Sequence, residues 1–68
     1  MKFTLARPTY YDFTDALRIC QRGLATGFDA HILNDVAFIY TINEPMSRDR
    51  LNEARAIMRR LSHQEHAL

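Results

Sequence analysis

The sequence predicts an all-α fold with three helices per chain, of which the last two form a C-terminal helical hairpin. Apolar residues recur every three or four positions from Tyr10 to Leu24, which is the spacing of one helix face. A nearly all-apolar segment follows at residues 30–43, and Pro45 separates it from an arginine-rich segment that also has apolar residues at helical spacing. We therefore expect one helical domain that spans residues 1–68.

The length of the chain predicts self-association. A domain of 68 residues buries only about 60% of the surface that its unfolded chain exposes, so its core is marginal. The single cysteine, Cys20, cannot form an internal disulfide, and oligomerisation remains as a way to stabilise so small a chain. We expect a homodimer, either intertwined or side by side, because twofold dimers are the most common soluble oligomers.

Charge and hydropathy predict a soluble, cytoplasmic protein. The net charge of +1 provides no general attraction to nucleic acid or to anionic membranes. The N-terminus has no charged region followed by an apolar run, which a signal peptide would need. The longest apolar run, Val36–Tyr40, is far shorter than the roughly 20 residues of a membrane span, so no membrane partner is expected.

The chain is expected to begin with an extended arm over residues 1–8. Residues 2–6 could instead form a brief strand, but no partner strand is evident in the sequence, and Pro8 disfavours helical geometry in the residue before it. We expect the arm to lay Phe3 and Leu5 on the core.

The first helix is predicted over residues 9–26. Thr9 is a favourable N-cap, and Asp12 stands three residues later, where it can complete a capping box. Either Gly23 or Gly27 can follow the C-terminus, because helices commonly end in a left-handed glycine, and Gly27 is favoured.

The second helix is predicted over residues 30–43, with Asp29 as N-cap and a hydrophobic staple between Phe28 and Leu33. A strand is the alternative, since residues 36–42 are rich in β-branched and aromatic side chains. The unbroken length and the lack of a second strong strand favour the helix. A helix that is apolar on nearly all sides is buried on most of them, so we expect a second copy of the chain to cover it. The predicted dimer core consists of Ile32, Val36, Phe38, Ile39 and Ile42.

The third helix is predicted over residues 48–61. Ser47 is its N-cap, and Met46 and Leu51 form a staple across it. Residues 62–68 are expected to be a frayed tail.

Arginines on the third helix form the first candidate site. At 100° per residue, Arg48, Arg55 and Arg59 fall within about 40° of one another. Such a face could contact an acidic protein or nucleic acid phosphates, or it could simply be solvated. A helix-turn-helix motif fits poorly, because the preceding helix is long and its turn carries Glu44 where phosphate would lie.

The turn between the last two helices is the second candidate site, because Tyr and Met are favoured at interaction surfaces. In the alternative interpretation, Met46 only packs against the third helix and Tyr40 is a core aromatic residue. Together with the arginine face, the predicted partner-binding residues are Tyr40, Asn43, Glu44, Met46, Arg48, Arg55 and Arg59.

Enzyme chemistry has little support in the sequence. His63 and His66 have a spacing that could share a metal, but no third ligand is nearby, so a solvated tail is the simpler interpretation. Cys20 lies on the apolar stripe of the first helix and is expected to be a buried small hydrophobe. We predict no catalytic residue, no cofactor and no metal.

From Phe28 to Leu61 the order of an apolar helix, the turn Asn43-Glu44-Pro45 and an arginine-rich helix resembles small helical proteins with which bacteriophages take over host regulators. The chain is most similar to phage anti-activators that inhibit a quorum-sensing transcription factor. The resemblance implies a location in the host cytoplasm and a host transcription regulator as target, and it allows a second host target. It rests on size and layout, so it assigns no binding residues.

Two other functions remain open. The chain could be a dimeric DNA-binding transcriptional regulator whose paired third helices contact phosphates with their arginine faces. It could also be a structural subunit of a larger assembly.

Overall fold

The computed structural model describes residues 4–67, which form three helices and a short two-stranded sheet. The elements are β1 (Leu5–Ala6), α1 (Tyr10–Gln21), α2 (Gly27–Thr41), β2 (Met46–Ser47) and α3 (Arg48–Ala67). The predicted all-α fold with three helices and a C-terminal hairpin is therefore confirmed. A strand was the alternative for residues 36–42. Residues 36–41 are helical and belong to α2.

The N-terminal segment is part of a sheet, and the prediction of an unpaired arm is wrong. β1 pairs antiparallel with β2, with Leu5 opposite Ser47 and Ala6 opposite Met46. A brief strand was the alternative for this segment, and Leu5 and Ala6 adopt it; the sequence did not show its partner, because two paired residues are too few to give a periodic pattern. The pairing fixes β1 against the start of α3.

The residues around this sheet also differ from the prediction. The backbone N–H of Arg48 donates to the carbonyl oxygen of Thr4 at 2.9 Å, which extends the contact into α3. Leu5 is 61% exposed and does not pack on the core as expected. Phe3, for which the same was predicted, lies outside the described residues.

The predicted N-terminus of α1 is confirmed in detail. The Thr9 hydroxyl accepts a hydrogen bond from the backbone N–H of Asp12 at 3.2 Å, and the Asp12 carboxylate accepts one from the backbone N–H of Thr9 at 2.8 Å. This reciprocal capping box satisfies two N–H groups that have no partner within the helix.

α1 ends earlier than the predicted residue 26. Gly23 has φ +71°, and the N–H groups of Gly23 and Leu24 donate to the carbonyl oxygens of Cys20 and Ile19. This is a Schellman motif, in which a glycine in the left-handed conformation ends the helix. Gly23, and not Gly27, is therefore the residue that follows the C-terminus.

α2 begins at Gly27, three residues before the predicted start. Thr26 is the N-cap and makes no side-chain capping bond, so the prediction of Asp29 as N-cap is wrong. Phe28 is 60% exposed and does not form the staple that depended on that cap. Gly27 has φ +56°, which lets the chain turn into α2 only a few residues after α1 ends.

α2 ends at Thr41 with the same motif as α1, although no glycine is present. Asn43 has φ +56°, and the N–H groups of Asn43 and Glu44 donate to the carbonyl oxygens of Tyr40 and Ile39. Asparagine adopts this conformation more readily than most side chains. The turn before β2 is therefore a defined structure.

α3 continues to Ala67, so the prediction of a frayed tail is wrong over residues 62–67, and Leu68 lies outside the described residues. Ser47 acts at the start as predicted, since its hydroxyl accepts from the backbone N–H of Arg50 at 3.4 Å. Near the other end Leu61 is buried, and Glu65 is paired with two arginines of α1. These contacts hold the last turns of α3 against α1.

The core lies among the three helices and is complete within one chain. α1 and α3 bury Ile32 and Val36 completely, which differs from the expectation that a second copy covers them. Ile39 packs at the edge of this core, whereas Phe38 and Ile42 are 62% and 47% exposed. Other buried side chains are Ala16, Ile19, Leu33, Met46, Leu51, Ala54, Ile57, Met58 and Leu61.

None of the helices within residues 4–67 combines the length and the apolar character needed to cross a lipid bilayer.

Candidate binding surfaces

Arg55 does not project freely from α3, although the sequence placed it on an open arginine face. Its Nε and Nη2 atoms donate to the two carboxylate oxygens of Asp12 at 3.0 and 2.8 Å. Such a two-point pairing has a fixed geometry and is among the stronger hydrogen-bonded ion pairs. Arg55 therefore fastens α3 to the first turn of α1 and is not available to a partner.

The surroundings of this pair hold both groups in their charged forms. Burial alone would raise the pKa of Asp12, but the hydrogen bonds from Arg55 and from Thr9 outweigh it and keep that pKa below the usual value. The hydrogen bond to Asp12 raises the pKa of Arg55, against a smaller opposing effect of burial. The carboxylate thus serves two structural purposes, since it caps α1 and binds α3.

A second charged cluster joins the C-terminal ends of α1 and α3. Glu65 is paired with Arg18, and Nη1 of Arg22 lies 3.0 Å from its Oε2 atom. That oxygen is buried and makes no aligned hydrogen bond within residues 4–67, so its contact with Arg22 is an ion pair only. Arg18 also donates to the hydroxyl of Ser62 at 3.3 Å.

Two more arginines of α3 are paired with carboxylates of α2. Arg50 lies 2.8 Å from Asp35, and Arg60 is paired with Asp29. His31, one turn before Asp35, is exposed on the same side of α2.

Few arginines remain without an acidic partner in the described part of the chain. Arg48 and Arg59 are exposed, and neither has a carboxylate within 4 Å among residues 4–67. Arg7 donates to the side-chain oxygen of Asn43 at 3.3 Å. The predicted arginine face is therefore reduced to two separate cations.

The turn residues that the sequence predicted as a site do not lie together on the surface. Asn43 and Glu44 are exposed, whereas Met46 is only 5% exposed because it belongs to β2 and packs into the core. The prediction that Met46 contacts a partner is therefore wrong. Its alternative interpretation, packing beneath α3, is the one observed.

Tyr40 belongs to an aromatic cluster between α1 and α2. Its ring stacks on that of Phe13 with 4.7 Å between centroids, and its centroid is 6.4 Å from that of Tyr10. Tyr10 is 61% exposed, while Phe13 and Tyr40 are half-buried. Tyr10 and Phe13 were predicted to lie on the apolar stripe of the first helix that faces the core. In the structure they lie at the outer edge of that stripe.

This edge is part of a wider surface without charges, which we call the uncharged face. On α1 the arc that carries Tyr10, Phe13 and Leu17 contains no charged residue, because the acids and arginines of α1 all fall on the other side of the helix. On α2 every residue from 36 to 42 is uncharged, and at 100° per residue Tyr40, Ala37, Thr41 and Phe38 follow one another around about 160° of the helix, from the aromatic cluster to the solvent-exposed side. We define the uncharged face as Tyr10, Phe13, Leu17, Ala37, Phe38, Tyr40 and Thr41.

A groove lies on the opposite side of α1, where α1 meets α3. This groove has a volume of about 460 Å³. α1 contributes Asp12 and Asp15; α3 contributes Arg55, Met58, Arg59, Ser62, His63 and His66.

The remaining candidates from the sequence have structural explanations. His63 and His66 lie on α3 and not in a tail, and no group of three or more potential metal ligands occurs within residues 4–67. Cys20 is half-buried, and burial raises the pKa of its thiol, which disfavours the reactive thiolate.

Sequence reasoning missed Asp12 as the partner of Arg55, since 43 residues separate them and no local pattern connects them. It also missed the uncharged face, for which a signal existed in the absence of charge along one arc of the first helix.

Comparisons of this chain with protein-family models, with curated proteins and with solved structures gave no match. The function is therefore argued from these surfaces.

Proposed function

We propose that this chain is a small, non-enzymatic protein-binding inhibitor that uses the uncharged face to bind its target. In the form that the sequence resemblance suggests, it is a phage anti-activator that binds a host transcription regulator and blocks its activity. The observation that carries the proposal is the contrast between an exposed aromatic surface without charges and arginines that are mostly paired within the chain.

The composition of the uncharged face supports a protein partner. Phe38 and Tyr10 are each more than half exposed, and Leu17 is 39% exposed. Aromatic side chains are enriched at the centres of protein interfaces, where charged residues are depleted. A protein partner would remove these side chains from water, and burying one such ring contributes about 1.5–3 kcal/mol.

The pairing of the arginines weighs against nucleic acid as the main partner. Binding to phosphates depends on several cations that can each displace a counterion. Arg48 and Arg59 are exposed, but Asp49 and Glu53 are exposed on the same helix and oppose them. We therefore keep DNA binding only as an outcome that the experiments must exclude.

A homodimer belongs to the same proposal. Because Ile32 and Val36 are buried within one chain, a second copy would have to use exposed apolar side chains such as Phe38 and Ile42. Self-association and target binding would then share Phe38. We expect a homodimer that dissociates when the chain binds its target.

The test compares matched variants in target capture. Tagged chain is incubated with lysate of the bacterial host, and captured transcription regulators are identified by mass spectrometry and then purified for direct binding. Phe38→Asp and Tyr10→Asp should each abolish capture, whereas Asn52→Asp, an equal charge change at an exposed position of α3, should not. Equal capture by all variants would contradict the proposal.

Salt dependence separates the protein target from DNA. Binding to the purified regulator should change little between 50 and 200 mM salt, because the uncharged face forms no ion pairs. Phosphate-dominated binding would weaken by orders of magnitude over about the same range. A DNA mobility shift that Arg48→Gln removes and Phe38→Asp leaves intact would support the regulator alternative instead.

A further inference from the structure

The groove between α1 and α3 has features that the uncharged face does not explain. Its floor contains the paired charges of Asp12 and Arg55 and the buried thioether of Met58. Arg59, His63 and His66 line it from α3, and all three are exposed. Arg59 is thus a cation in a concave site that finds no carboxylate partner among residues 4–67.

The charges around the groove favour an anionic ligand. Arg55 and Arg59 line the groove, and Arg18 and Arg22 lie beside it in ion pairs with Asp15 and Glu65. The nearby carboxylates are Asp12, Asp15 and Glu65, and each has an arginine within 4 Å. One positive charge therefore remains when the imidazoles of His63 and His66 are neutral, and three remain when both are protonated.

Asp15 is the group most opposed to an anion here, because it lines the groove from α1. Its Oδ1 atom lies 3.8 Å from Nη2 of Arg18, which offsets its charge. Asp12 is fully engaged by Arg55 and Thr9. The carboxylates of the site are thus compensated, and the charge of Arg59 is not.

We propose that this groove binds the carboxylate side chains of an acidic peptide segment, with Arg59 as the main contact and His63 and His66 as additional donors in their protonated forms. The inference rests on the proposed function, since it assigns a chemical character to one segment of a protein partner. Histidine is the side chain that changes charge between pH 5 and 8, so binding should tighten as pH falls from 7.5 to 6.0.

The test uses the intact chain and a short peptide of four glutamates flanked by glycines, followed by two-dimensional NMR. At pH 6.0 the peptide should shift the amide signals of residues 59–66, and affinity should be about fivefold higher than at pH 7.5, the effect of two exposed ion pairs. Arg59→Gln should remove binding. Arg48→Gln, on the same helix but outside the groove, should leave it unchanged.

A double variant, His63→Gln with His66→Gln, should bind at pH 6.0 only as tightly as the unaltered chain does at pH 7.5. Inorganic phosphate is the second probe; if it shifts the same signals at an equal concentration, the groove is a general anion site and the peptide assignment is overturned. Shifts spread over all helices, or equal losses in Arg59→Gln and Arg48→Gln, would also overturn it. Because Phe38 is not in the groove, this experiment can fail while target capture succeeds.

Discussion

The two sides of α1 show how differently this chain uses its charged and its apolar residues. Toward α3, α1 presents Asp12 and Arg18, which are paired with Arg55 and Glu65 of α3. Away from α3, α1 presents the uncharged face, whose aromatic side chains remain partly exposed. One side is held by ion pairs within the chain, while the other provides apolar surface for a partner.

This difference indicates that most of the arginines have a structural role. In a small core, apolar burial alone leaves little stability, and paired charges in the middle and near the C-terminal end of α3 supply additional contacts to α1. Arginines that appear as a basic face in the sequence are therefore largely structural. The surface available for binding is the uncharged face.

The largest expected effect comes from breaking the ion-paired side at Asp12. Asp12→Ala removes the carboxylate half of the α1 capping box and leaves Arg55 without its partner, so the free energy of unfolding should fall by about 2–4 kcal/mol. Urea denaturation followed by circular dichroism measures the change. Asp15→Ala is the matched control, because its 3.8 Å contact with Arg18 is exposed and should contribute less than about 0.5 kcal/mol.

Acid should weaken the same contact. Because the folded state lowers the pKa of Asp12, its stabilising contribution is fully present above the ordinary value of 3.8 and is lost as pH falls through the lower folded value. Unfolding free energies at pH 5 and pH 2.5 should therefore differ more in the unaltered chain than in Asp12→Asn. An identical difference in both would show that other carboxylates carry the acid sensitivity.

A smaller effect is expected at the far end of α3. Glu65→Ala leaves Arg22 unpaired and Arg18 with only its 3.8 Å contact to Asp15, and since both arginines are partly solvated the loss should be about 1 kcal/mol. Amide hydrogen exchange over residues 62–67 should accelerate, because Glu65 holds these last turns against α1. Unchanged exchange there would mean that the burial of Leu61 alone maintains the helix.

The smallest effect on stability should come from the uncharged face. Phe38 is 62% exposed, so Phe38→Asp should change the free energy of unfolding by less than about 1 kcal/mol while it reduces self-association. Sedimentation equilibrium and urea denaturation of the same sample separate the two effects. If Phe38→Asp unfolds the chain, Phe38 supports the core, and the assignment of Phe38 to a binding surface is contradicted.

Local signals predicted much of the fold. The Thr9 capping box, the Ser47 start of α3 and the stop near Pro45 depend on neighbours within a few residues, and the structure confirms each. The end of α1 was missed because two glycines compete and only Gly23 makes the Schellman bonds. Competition of this kind is decided by how α1 packs on α2, which no short pattern contains.

The candidate sites were harder to predict, since they depend on contacts between distant residues. Arg55 and Met46 were predicted to be surface residues that contact a partner. In the structure Arg55 is paired with Asp12, and Met46 is buried in the core. Tyr40 was predicted to bind a partner, which stays a prediction; its ring is half-buried and stacks on Phe13 at the edge of the uncharged face. Pairing across helices converts apparent binding residues into structural ones, and only tertiary contacts show which.

The most direct test of the central claim is the dissociation constant of the captured regulator for Phe38→Asp and for Arg48→Gln, measured side by side. If the uncharged face is the binding surface, Phe38→Asp should weaken binding by about 30-fold or more, as expected for a central aromatic contact. Arg48→Gln should change it by less than about twofold. The reverse order, with Arg48→Gln severe and Phe38→Asp neutral, would contradict the account.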